Sequence, residues 1–167
     1  MYLFKISLLV VLLSFNLYSK ENKIDTFTSL NQVYFLPDEA DETKDNIFNL
    51  IKNAKKSISI GMYNFSYKKL AKQLVASSKN GVNIKIILDK SKVSKDDKIY
   101  KYFKKNGITV KIADKKLHTK LAVFDEKIAV MGSINWTKES FKDNYEIVLF
   151  TKDKKTINKM LNFINNF

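Results

Sequence analysis

From residue 30 to the C-terminus, apolar residues recur with two periods in turn, and that alternation confines the chain to one fold class. Gln32 to Leu36 is a short apolar strand stopped by Pro37. Across Asp41 to Ala54, residues Ile47, Leu50, Ile51 and Ala54 fall at helical spacing. Ser57 to Tyr63 alternates Ile58, Ile60 and Met62 against Ser57, Ser59 and Gly61, the period of a strand. Ser66 is a candidate N-cap for a helical stripe of Tyr67, Leu70, Ala71, Leu74 and Val75, which Asn80-Gly81 closes. Val82 to Leu88 reads as a strand. Lys95 to Lys105 reads as a charged helix with Ile99, Tyr102 and Phe103 inward, ended by Asn106-Gly107. Thr109 to Ala113 is a strand, and Leu117 to Phe124 and Lys127 to Met131 flank a turn at Asp125-Glu126. Glu146 to Phe150 is a further strand, and Ile157, Met160, Leu161 and Ile164 mark a last amphipathic helix. With neither a repeat nor a linker inside it, this stretch predicts one α/β domain with a mixed sheet.

The first residues follow a different rule. Lys5 precedes the apolar run Ile6 to Leu13, which ends near Leu17, and Leu17-Tyr18-Ser19 is followed at once by polar Lys20 to Lys23. This is the layout of an export signal, and about 12 apolar residues fall short of the roughly 20 that a membrane-spanning helix needs. An uncleaved anchor is the competing reading. The expected organisation is a signal peptide over 1–19, a linker over 20–29 and a folded domain over 30–167, with the protein delivered to the periplasm or the cell surface. The absence of cysteine excludes disulfides, cysteine nucleophiles and thiolate metal sites. The net charge is +13 and every basic residue is a lysine, which favours an acidic partner, either nucleic acid or an anionic membrane surface. Codon bias explains lysine in place of arginine, but not the excess of lysine over acids.

The chain holds one histidine, in Leu117-His118-Thr119-Lys120. On a strand, positions i and i+2 share a face, so His118 and Lys120 point the same way. An imidazole beside a fixed cation suits a phosphate: the ring attacks phosphorus while the ammonium offsets charge on the phosphoryl oxygens. Taken alone, such a pair is more simply a solvated strand end. Past the turn, however, Gly132-Ser133-Ile134-Asn135 adds a hydroxyl and an amide, again at i and i+2, as neutral donors. Gly132 leaves room for a close backbone approach.

Together, His118-Thr119-Lys120, four residues, Asp125, six residues and Gly132-Ser133-Ile134-Asn135 match without a gap the HxK(x)4D(x)6GSxN pattern of the phospholipase D superfamily. The match continues through Asn135-Trp136-Thr137 to Asn144-Tyr145-Glu146, which resembles the small bacterial endonucleases and the mitochondrial cardiolipin hydrolase or Zucchini group. Upstream, Val33 to Pro37, Ile60 to Phe65, and Gly81-Val82 with the strand running to Asp89 also resemble this group. The resemblance covers roughly residues 30 to 165 and implies a phospholipase D-like α/β sandwich, a mixed central sheet with helices on both faces.

It further implies a phosphohistidine intermediate, a second histidine as general acid, and no metal or cofactor. Carried over, His118 is nucleophile or acid, Lys120 and Asn135 bind the phosphate, and Ser133 lines the site. Glu146 would accept a hydrogen bond from the imidazole, as carboxylates do in hydrolytic triads. Asp125 belongs to the motif too, but it stands at a turn, where aspartate is favoured for local hydrogen bonding, and a structural role is the leaning. Two-motif relatives carry two such histidines and this chain carries one, so the resemblance calls for a homodimer with both His118 side chains across one phosphate. Trp136 and Tyr63 are the aromatic residues worth suspecting as base platforms. The leading expectation is an exported, sequence-nonspecific nuclease acting on DNA, with RNA as a secondary candidate substrate. A phospholipase for an anionic lipid such as cardiolipin, or an inactive nucleic-acid-binding protein, are the alternatives.

Overall fold

The computed structural model describes residues 30–93 and 97–167. The expected signal peptide and linker lie outside the described residues, as does the start of the helix expected from Lys95.

Seven strands form one mixed sheet: β1 (Asn31–Leu36), β2 (Ser57–Met62), β3 (Asn83–Leu88), β4 (Thr109–Ile112), β5 (Lys120–Phe124), β6 (Ile128–Gly132) and β7 (Glu146–Thr151), in the order β1-β7-β6-β5-β2-β3-β4. β2, β3 and β4 run parallel, and the other pairings are antiparallel. The helices among the described residues are α1 (Ala40–Asn53), α2 (Lys68–Lys79), α3 (Lys98–Lys105), α4 (Lys138–Lys142) and α5 (Lys154–Asn165), with a 3-10 turn at Lys90–Lys92.

The two faces of the sheet are covered unequally. Inward residues of α1 to α4, among them Ile47, Ile51, Leu70, Leu74, Phe103 and Phe141, pack on one face against Tyr34, Ile60, Ile86, Ala122, Val130 and Val148. On the other face α5 stands alone, with Ile157 and Met160 on Val123 and Ala129, and Ile164 on Ile87. α5 is held by Asp153, which accepts from Thr156 N–H at 2.7 Å at its start, and by Lys85 Nζ, which donates to Ile164 O at 2.8 Å near its end. The outward residues of β1 and β7 lie beyond its reach: Val33, Phe35 and Ile147 are 46%, 61% and 46% exposed.

Most expected elements stand within a residue or two of their expected ends, and the exceptions have local causes. α2 begins at Lys68 with Tyr67 at the N-cap position, so Ser66 lies one residue too early to cap it, and its N–H donates instead to Trp136 O at 3.0 Å. α2 and α3 both end in glycine-centred turns: Gly81 and Gly107 adopt φ of 89° and 75°, and Val82 and Ile108 donate back to Ser77 O and Phe103 O. α3 begins at Lys98, capped by Asp97, whose carboxylate accepts from Tyr100 N–H at 2.7 Å. The regular part of β5 starts at Lys120, three residues later than its apolar pattern suggests. α4, a single turn capped by Thr137, was not foreseen, because five residues give the helical period too little length.

Candidate active site

The site gathers at one end of the sheet, where β2 and β3 finish, β5 and β7 begin, and β6 runs out into the Gly132–Asn135 loop. In open α/β sheets this is the crevice beyond the carboxyl ends of the parallel strands. His118 sits in the extended segment that leads into β5, where Tyr63 N–H donates to Thr119 O at 2.9 Å and keeps that segment alongside the end of β2. The exposed imidazole packs edge-on against Tyr63, ring centroids 4.5 Å apart. Lys120 lies over the same ring, its Nζ 4.9 Å from the centroid, and donates to His118 O at 3.0 Å. His118 and Lys120 therefore share one face, as their spacing required. Burial pushes the Lys120 ammonium below its ordinary pKa, with Lys116 adding to the effect and Glu146 and Tyr63 opposing it.

Across the crevice, Gly132 passes so close to β7 that a Cβ there would lie 2.0 Å from Ile147 O. Only glycine lets the loop descend at this point, and Ser133 N–H then donates to that same carbonyl at 3.0 Å. Asn135 is only partly exposed, its Oδ1 is buried without a partner, and its amide makes no side-chain hydrogen bond to the described residues. The donors of this amide are on Nδ2, and that is the end suited to a phosphate oxygen; Oδ1 is an acceptor and is not satisfied by one. Thr119 Oγ1, between His118 and Lys120, is unpaired in the same way.

Glu146 departs from its expected role in one chain, while Asp125, a motif residue counted among the site candidates, takes the structural role towards which its turn position leaned. Within one chain the bond from the imidazole to Glu146 is not formed: Glu146 accepts from the Ser133 hydroxyl and, at 3.2 Å, from Asn144 Nδ2, while His118 makes no side-chain hydrogen bond to the described residues. Glu146 opens β7, two strands from β5 in the sheet, a separation of roughly 10 Å at ordinary strand spacing. Asp125 is not in the site at all. It lies past the far end of β5 from Lys120, about 17 Å along the strand at ~3.3 Å per residue. There its carboxylate accepts the backbone N–H groups of Lys55, Lys56 and Ser57 at 2.7–3.1 Å and pins the start of β2 to the β5–β6 turn. Burial alone would raise its pKa, but the three amides outweigh that and hold it below the usual carboxylate range.

Of the suspected aromatics, Tyr63 is at the centre and Trp136 is not. Trp136 is 1% exposed, its ring packed on Phe65 at 5.2 Å, and its backbone tethers the motif loop to Asn64, Ser66 and Tyr67. Sequence reasoning gave no role to Asp89. Its carboxylate, 1% exposed at the end of β3, accepts from Leu117 N–H at 2.6 Å and from Ser91 N–H at 2.8 Å, fixing the residue before His118. The visible signal was an acid directly after an apolar strand. Beside these residues a groove of about 660 Å³ is lined by Tyr63, Asp89, Lys90, Ser91, Asp114, Lys115 and Lys116. Among the described residues no three metal-ligating side chains come together.

This geometry has counterparts. A family model described as "Cardiolipin synthase, PLD-like domain" matches residues 47–167. The mitochondrial cardiolipin hydrolase of Homo sapiens is 26% identical over 110 residues, which are 65% of this chain and 44% of that protein. The phospholipase D of Rickettsia prowazekii is 29% identical over 107 residues, 63% and 52% of the two chains. The chain thus spans about half the length of these curated relatives. Among solved structures, NucT from Helicobacter pylori superimposes with a TM-score of 0.76 at 26% identity, covering 81% of this chain and 93% of that one. Nuc from Salmonella typhimurium, a phospholipase D family member, gives 0.72 at 26% identity, covering 81% and 91%. With its fold, its motif and most of its length accounted for in this way, the chain belongs to the phospholipase D superfamily, in the cardiolipin synthase PLD-like domain family.

Proposed function

We propose that this protein is an exported phosphodiesterase that works without a metal, most specifically a sequence-nonspecific endonuclease cleaving DNA and RNA through a phosphohistidine at His118. One observation carries the reading. An exposed imidazole and a partly desolvated lysine share the Tyr63 ring, and the same tyrosine lines a groove whose Lys90, Lys115 and Lys116 are in no ion pair among the described residues. Such a groove contacts backbone phosphates and gives little sequence preference. Export rests on the N-terminal segment described above.

The chemistry follows from the placements. An imidazole nitrogen of His118 attacks phosphorus, forming a P–N bond, while the P–O bond to the leaving strand breaks. Lys120 and the Asn135 amide take the charge that accumulates on the phosphoryl oxygens. The leaving oxygen takes a proton from a second imidazole, and water then attacks the phosphohistidine and releases the new phosphate end. One chain supplies one histidine, so the second imidazole is His118 of a second copy. The exposed apolar strip of Phe35, Tyr145 and Ile147 next to Glu146 supports that pairing, because it is continuous with the site and uncovered in one chain.

A lipid substrate is the second reading, favoured by the curated relatives' names and by the positive charge, which also suits anionic membranes. No helix among the described residues is long and apolar enough to cross a membrane. The test presents protein from residue 20 onward with supercoiled plasmid and, separately, with cardiolipin vesicles, both in excess EDTA, beside His118→Ala. Plasmid cleavage by the unaltered protein, reduced at least about a thousandfold in the variant, is the expected result. Cleavage that returns only with a divalent ion would refute the mechanism, and hydrolysis of lipid alone would replace the substrate.

A further inference from the structure

We propose that Lys92, over the Tyr63 ring at the edge of the groove, binds the phosphate adjacent to the scissile one along a nucleic-acid strand and so forms a second phosphate subsite. The proposal rests on the nuclease reading above and deepens it.

Tyr63 carries two ammonium groups. Lys92 Nζ lies 4.9 Å from its ring centroid, the same distance as Lys120 Nζ, so the two cations are within about 10 Å of each other. The same ring touches His118 at 4.5 Å between centroids, which keeps Lys92 Nζ within about 10 Å of the imidazole. Lys120 belongs to the scissile phosphate, but Lys92 lies outside the family motif and on a different loop. Neither lysine forms an ion pair among the described residues, and Lys90, Lys115 and Lys116 add unpaired charge along the same groove. The groove sets these three lysines against Asp114 and the buried Asp89, whose carboxylate is spent on Ser91 and Leu117, and a lining with excess positive charge favours an incoming polyanion.

The position of Lys92 is set by the fold. Asp89 accepts from both the N–H and the hydroxyl of Ser91 with Oδ1, and from Leu117 N–H with Oδ2. Lys92 N–H donates to Asp89 O at 3.1 Å. One buried carboxylate therefore buckles the turn that bears Lys92 to the segment that bears His118. At about 660 Å³ the groove has the size of an ordinary ligand site. A nucleic-acid strand carries a phosphate for every ~3.4 Å of helix axis, so a strand threaded past His118 brings a neighbouring phosphate to Lys92. A diester with one phosphate has nothing to place there.

The experiment compares a short oligothymidylate with bis(p-nitrophenyl) phosphate, for the unaltered protein, for Lys92→Ala, and for Lys104→Ala, which removes the same charge from the exposed side of α3. Lys92→Ala should lower kcat/KM on the oligonucleotide about tenfold more than on the small diester, mainly through KM. The slope of log KM against log salt should fall by about 0.7. Lys104→Ala should leave the ratio of the two substrates within about twofold, in line with its distance from the crevice. Equal losses on both substrates, a loss confined to kcat, or a ratio no different from that of Lys104→Ala would overturn the subsite while leaving the nuclease reading intact. Turnover of the small diester with none of the oligonucleotide would overturn both.

Discussion

Two buried or half-buried aspartates stand at opposite ends of the sheet, and each spends its carboxylate on backbone amides. Asp89 organises the loops of the active site; Asp125 closes the far end. Only Asp125 belongs to the sequence motif, and its place at a turn, rather than its fixed interval from His118, was the cue to its structural role. Its φ of 51° is also one that aspartate tolerates better than most residues. Asp125→Asn should cost about 1 kcal/mol at pH 7, allowing for solvent screening at this partly exposed turn, and urea denaturation with both proteins measures it. Because the folded pKa is depressed, the stabilisation is complete above the ordinary carboxylate range and is lost as pH falls through the lowered value. The gap between the two proteins should therefore narrow below about pH 4; a gap that widens there would show that Asp125 acts by some other route.

At the scale of elements, period and length decided what could be read. Six-residue strands such as β2 and β3, and helices such as α1 and α2 with several apolar contacts per face, left clear patterns. The segment Leu117–Thr119 did not, because Leu117 is buried by the neighbours of α5 rather than by strand pairing, which gives the sequence an alternation that the ladder does not follow. His118 and Lys120 were legible as a pair because they stand on extended backbone at i and i+2, and Ser133 and Asn135 because they follow in the motif, on a loop just past the end of β6. The environments of Tyr63, Lys92 and Asp89 were not, since they come from the ends of β2 and β3 and meet the motif only once the sheet is assembled. Glu146 shows the converse: its place in the motif survives, yet its hydrogen-bond partners in one chain are Ser133 and Asn144.

For the molecule as a whole, the uneven cover of the sheet and the single histidine point the same way. α5 shields the middle of its face and leaves Val33, Phe35 and Ile147 exposed, with Tyr145 beside them at 95%. Under the proposed mechanism, which calls for a second imidazole, an apolar strip beside Glu146 suits a twofold partner. Phe35→Glu, at a position already 61% exposed, should fold normally by circular dichroism, sediment as a monomer, and lose about a hundredfold in DNA cleavage. Full activity in a strictly monomeric unaltered protein would remove the shared site. The role of His118 itself is tested most directly by quenching the enzyme during turnover of an oligonucleotide labelled at its phosphates and mapping the adduct by mass spectrometry. The prediction is an acid-labile, base-stable phosphoramidate on the peptide holding His118, absent from His118→Ala; cleavage that proceeds undiminished in His118→Ala, with no adduct on the unaltered protein, would contradict it.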